Sequence, residues 1–187
     1  MIRKKYADVA VSAIGKFEYP TGMGGARALG YNPNFIKSAS PDLLESFCGV
    51  GNPFSLGEIK DGETVLDIGS GAGFDLYVAS KLVGDKGMVC GIDLTDDMVE
   101  RAKVNLTRAN VSNVEVRKVA YEDIPYEDSI FDVVISNGVI NLSPDKKRTF
   151  NEIYRVLKSG GRLQFADVLL EKDLPSELIG SLEAWSQ

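Results

Sequence analysis

The sequence predicts an α/β fold of the doubly wound kind, a mostly parallel Rossmann-like sheet with helices on both faces. Three observations carry that prediction. From about residue 61 onward, short apolar runs alternate with amphipathic segments, joined by short connections. A glycine turn, Gly69-Ser70-Gly71-Ala72-Gly73, follows the first of those runs directly. The 187 residues are 44% hydrophobic and 26% charged, which suits a globular domain with a sizeable core.

The elements follow in order. Residues 1–60 carry Pro20, Pro33, Pro41 and Pro53 and a glycine-rich stretch at 21–25. They predict a helix over residues 4–14, then loops, and a second short helix over residues 41–47. Periodic apolar sequence is too sparse there for an independent domain, so residues 1–60 are expected to form a flank or lid on a single unit made by residues 61–187. In that unit, Thr64–Ile68 reads as a strand and Phe74–Val83 as a helix stopped by Gly84. Residues 87–93 form the next strand. Thr95 can cap the helix after it, with Asp96 and Asp97 in the first turn, where the helix dipole favours negative charge. Met98, Ala102 and Leu106 mark the inward face of that helix. Strands over 114–119 and 131–136 follow. Ser143-Pro144 should open a helix with Phe150, Ile153 and Leu157 inward, ended by Gly160-Gly161 before a strand over 162–170. Residues 175–185 read as a last helix, docked through Trp185.

Composition excludes several chemistries. With no histidine, Ser-His-Asp triads, Cys-His dyads and histidine metal sites are ruled out. Two cysteines, Cys48 and Cys90, cannot build a four-thiolate metal site, and no metal centre is expected. A net charge of -6 argues against a nucleic-acid partner. No apolar run approaches the length of a membrane span, and the first residues turn polar too soon for a signal peptide, so a cytoplasmic protein without a membrane partner is expected.

In a doubly wound sheet, ligands bind beyond the carboxyl ends of the strands, at the switch point. There the first strand ends in Asp67-Ile68-Gly69-Ser70-Gly71-Ala72-Gly73. A dinucleotide fingerprint would need a third glycine at position 74, which is Phe. A nicotinamide enzyme is therefore disfavoured. Asp67, two residues before the first glycine, suits a ligand with an ammonium group better than a pyrophosphate. The second strand ends at Asp93, twenty residues after Gly73, with Leu94 next to it. A carboxylate at that place can accept from both hydroxyls of a ribose. The two features together suit a nucleoside with an amino-acid tail.

These stretches, with Phe131-Asp132-Val133-Val134-Ile135-Ser136-Asn137 and Val156-Leu157-Lys158-Ser159-Gly160-Gly161-Arg162, resemble the class I S-adenosylmethionine-dependent methyltransferases over roughly residues 60–170. The resemblance implies S-adenosylmethionine as cofactor. It implies that the 69–73 turn lines the methionine part, that Asp93 holds the ribose, and that Tyr121 and Glu122 lie by the adenine. Asn137 would mark the methyl-transfer side. The pattern departs at Ala120, where many relatives carry Asp. It also implies two further antiparallel strands after the one at 162–170, which the 187 residues do not supply. A homodimer is among the arrangements that would cover such an open edge.

Phe47-Cys48-Gly49-Val50-Gly51-Asn52-Pro53, residues 135–146 and Phe165-Ala166-Asp167 resemble the arsenite methyltransferase branch more narrowly. That branch holds trivalent arsenic on thiolates, soft sulfur suiting a soft metalloid. At the positions where the resemblance implies cysteines, this sequence has Val50 and Gly138. The expected function is methyl transfer to a small-molecule acceptor, without the usual arsenic-binding thiols. The alternative is a cofactor-binding module that needs a partner or a further segment for turnover. No catalytic residue is assigned. An acceptor that must lose a proton would need a carboxylate or tyrosine as base, and a thiolate or an arsenic lone pair would need none.

Overall fold

The computed structural model describes residues 2–120 and 123–169. Among these residues, five strands form one sheet: β1 (Thr64–Ile68), β2 (Met88–Asp93), β3 (Val114–Lys118), β4 (Phe131–Asn137) and β5 (Leu157–Ala166). Their order is β3-β2-β1-β4-β5, and every pairing is parallel. No antiparallel strand occurs among the described residues. The predicted helix over 175–185 and Trp185 lie outside them.

Alternation along the strands divides the core. Val65, Val89, Val133 and Ile135 join one cluster, while Leu66, Ile68, Cys90, Ile92 and Val134 join the other. The first face is covered by α5 (Phe74–Val83) and α6 (Asp96–Arg108), the second by α7 (Lys146–Val156). Met98, Ala102 and Leu106 of α6 are all buried, as their spacing predicted. The connection from β1 runs to one neighbour, β2, and the chain later returns on the other side as β4. The switch point therefore falls between the carboxyl ends of β1 and β4.

Residues before β1 hold more helix than predicted. After α1 (Ile2–Val11) come α2 (Gly22–Ala28), α3 (Pro33–Ser38) and α4 (Pro41–Glu45), then a 3₁₀ turn at Pro53–Ser55. Prolines that read as loop markers instead open these turns, at the first helical positions where no amide donor is needed. Packing holds such short pieces helical: Ala26, Ile36, Leu43, Leu44 and Phe47 are buried in the same cluster as the β1 valine.

The α7 region also differs from expectation. Asp145, not Ser143-Pro144, caps the helix, its carboxylate accepting the Arg148 N–H at 2.9 Å. The inward stripe is Thr149, Ile153 and Val156, while Phe150 is 40% exposed and meets the Phe165 ring edge-on. The helix stops at Val156 without glycine. Leu157 already pairs with Phe131, and Gly160-Gly161 fall in an irregularity of the register before Arg162 pairs with Val133.

Candidate functional site

The turn after β1 is stitched to the end of β2. The Gly69 and Ser70 N–H groups both donate to the Ile92 carbonyl, at 2.8 and 3.0 Å. Gly69, Gly71 and Gly73 all have positive φ, and a side chain at Gly69 would run into Val139. Asp93 bridges this turn to the start of α6. One of its oxygens accepts the Gly71 N–H at 2.9 Å and the other the Thr95 N–H at 2.9 Å. Thr95 is the N-cap residue, but its hydroxyl makes no capping bond; the Asp93 carboxylate instead accepts the Thr95 N–H, one residue ahead of the helix.

Over these residues opens a cavity of about 810 Å³, counting its mouth. It brings together Gly69, Ser70, Gly71, Ala72, Gly73, Asp93, Leu94 and Asn137 of the predicted site. Tyr6, Phe47, Cys48, Met98 and Val139 supply an apolar wall. Asp67 is placed differently. It is 2% exposed and lies beneath the turn, off the cavity wall, with one carboxylate oxygen lacking any hydrogen-bond partner among the described residues. Tyr121 and Glu122 lie outside the described residues. A second, mostly apolar cavity of about 530 Å³ adjoins the first, sharing Val139 and Leu142 and reaching Ile92, Ile124 and Ser143.

Three carboxylates meet at this end of the sheet. Burial raises the Asp67 pKa well above the usual carboxylate range, and the neighbouring Asp75 and Asp93 raise it further. Burial lifts Asp75 to about 6, against the lowering effect of hydrogen bonds from Tyr31 and Asn137. Asp93 is raised by burial and held down in part by its backbone donors. The Cys48 thiol is pushed up to about 12 by burial and by Asp93, so at neutral pH it is a thiol and not a thiolate.

Several lining residues escaped sequence reasoning. Leu43, Ser46 and Phe47 arrive from the N-terminal segment, and Asp75 from the first turn of α5. An acid in a first turn reads as a partner for the helix dipole; nothing local announces that it is buried. Tyr6 both packs against the α1 cluster and lines the cavity. Cys90 is a buried core residue. Glu63 forks onto Arg162 with both oxygens at 2.8 Å.

Comparison with known proteins agrees with this geometry. Residues 59–187 match the family model described as a methyltransferase domain. The chain is 36% identical to the arsenite methyltransferase of Halobacterium salinarum over 95% of its own length and 49% of that protein's. It is 42% identical to the human arsenite methyltransferase, covering 66% of this chain and 35% of that one. The chain thus spans about half, or less, of the length of these curated relatives. Among solved structures it resembles an arsenic(III) S-adenosylmethionine methyltransferase from Chlamydomonas reinhardtii, with TM-score 0.65 and 40% identity over 86% of this chain and 53% of that one. A SAM-dependent methyltransferase from Aquifex aeolicus gives TM-score 0.60 and 32% identity, covering 79% and 80% of the two chains. With this fold, this glycine turn and these matches, the chain belongs to the class I S-adenosylmethionine-dependent methyltransferases, on the arsenite methyltransferase-like branch.

Proposed function

We propose that this chain binds S-adenosylmethionine in the larger cavity and serves methyl transfer to a small-molecule acceptor. The observation that carries the reading is the joining of the 69–73 turn and Asp93 on one cavity wall. The residues present fit that cofactor. At Gly71 an added Cβ would meet nothing nearer than the Met98 sulfur at 4.0 Å, so a ligand can approach the backbone there, and the Ser70 hydroxyl is buried without a partner among the described residues. Each Asp93 oxygen accepts one backbone N–H and keeps capacity for a ribose hydroxyl. The adjoining apolar cavity by Val139, Leu142 and Ile124 suits a flat adenine. When bound, the sulfonium supplies an electrophilic methyl group that needs no further activation. The chain's own work is then to align the acceptor, exclude water and, for an acceptor that carries a proton, to remove it.

The acceptor side differs from an arsenic trap. Val50 and Gly138 stand where the resemblance implies thiols, and they are neighbours in space: a Cβ on Gly138 would lie 3.3 Å from both Val50 methyls. Cys48 lines the cavity, while Cys90 is buried on the other sheet face. We therefore read the acceptor as a small molecule held without a pair of thiolates.

Calorimetric titration with S-adenosylmethionine and S-adenosylhomocysteine, on the parent chain and on Asp93→Ala, tests the cofactor site. Removing a charged hydrogen-bond acceptor should weaken binding about 10- to 100-fold. Equal affinity in the variant would sink the ribose assignment. Binding with no methylation of arsenite or small thiols would favour the module that needs a partner or a further segment.

A further inference from the structure

We propose that Tyr31, Asp75 and Asn137 are positioning residues, a buried clamp that seats the 48–51 loop and so sets the acceptor-side wall of the cavity. The inference rests on the methyltransferase reading, since it concerns that same cavity. Its starting point is the amide of Asn137, at the carboxyl end of β4. The Oδ1 atom accepts the Val50 N–H at 2.9 Å and the Gly51 N–H at 3.1 Å. The Nδ2 atom faces three acceptors: the Gly51 carbonyl at 2.9 Å, the Tyr31 hydroxyl at 3.0 Å and Asp75 Oδ2 at 3.1 Å. An amide has two protons and two oxygen lone pairs to share, and all are taken. Asn137 therefore borders the cavity without a hydrogen bond to spare for a ligand.

Asp75 and Tyr31 complete the clamp. The Tyr31 hydroxyl donates to Asp75 Oδ1 at 2.7 Å, so each Asp75 oxygen has one donor. The three residues come from segments far apart in the chain, and Tyr31 and Asp75 are buried. Room for this arrangement is reserved at Gly49, where any Cβ would overlap the Asn137 amide. The clamped loop places Cys48 and Gly49 on the wall of the same cavity that the glycine turn lines. Transfer in line with a breaking bond tolerates little misplacement, so a wall fixed by one saturated amide is a catalytic asset.

Exchanging the partners tests the clamp. Asn137→Asp puts a second carboxylate against Asp75, while Asp75→Asn with Asn137→Asp restores a donor facing an acceptor. Amide hydrogen exchange reads the loop at Val50 and Gly51, and calorimetry with S-adenosylhomocysteine reads the cavity. The single Asn137→Asp variant should exchange those two amides at least about tenfold faster and bind more weakly, and the double variant should recover part of both. A residue that only fills space would show no such recovery. Tyr31→Phe, which keeps shape, should speed exchange at Val50 and Gly51 by about 2- to 10-fold and serves if Asn137→Asp does not fold. Unchanged exchange in Tyr31→Phe, or a double variant no better than the single, overturns the proposal. If the parent chain binds no S-adenosylhomocysteine, the cofactor reading fails instead, and the exchange data still decide whether the loop is clamped.

Discussion

Asp75 is a carboxylate whose charge the fold opposes. Its pKa of about 6 in the folded chain exceeds the ordinary 3.8 because burial outweighs the two donors it receives. A folded-state pKa raised in this way contributes stability that is complete below about pH 4 and lost as pH rises through about 6. Asp75→Asn removes that titration. The melting temperature of the variant minus that of the parent should therefore climb by a few degrees between pH 4 and pH 7, about 1.4 kcal/mol for each unit of displacement. A flat difference, measured by calorimetry, would show that Asp75 is not so displaced. The contrast with Asp93 bears on legibility. Asp93 could be read from the sequence because its partners, Gly71 and Thr95, belong to the motif around it. Asp75 could not, because Tyr31 lies 44 residues earlier and Asn137 62 residues later.

Among the elements, the end of α7 controls more than its length suggests. Arg155 donates to the Ile124 and Tyr126 carbonyls at 2.9 and 2.8 Å, to Asp128 at 2.8 Å, and forks onto Glu152 at 2.7 Å. It thereby fastens residues 124–128, the segment that enters β4, and Ile124 of that segment lines the second cavity. Arg155→Met should cost about 1–3 kcal/mol in stability. It should also weaken S-adenosylhomocysteine binding, although the guanidinium lines neither cavity. Unaltered affinity would mean that the segment holds its shape without Arg155. The strands and α5 and α6 were legible because their patterns are local: alternation, a glycine turn, a four-residue stripe. The helices α2 and α3 were not. They are short and rich in glycine and proline, and their helical state is decided by burial against the sheet, which no local pattern records.

For the molecule as a whole, the parallel sheet and its switch point follow from the order of the elements, whereas the seat of the first sixty residues does not. Leu43, Leu44 and Phe47 share a cluster with Val65 and Val133, and the Gln164 amide donates to the Pro53 and Gly57 carbonyls at 2.9 and 3.0 Å. We expect one cooperative thermal transition for the chain, and no native-like transition for residues 61–187 expressed alone. Two separated transitions would overturn that expectation. The long reach of Gln164 and Asn137 has a consequence for biosynthesis. A ribosome delivers Leu43, Leu44 and Phe47 long before β4 and β5, and until those strands emerge, these side chains have no sheet to cover them. During synthesis these residues therefore expose apolar surface until the strands that cover them have emerged, an interval in which association with other chains competes with folding.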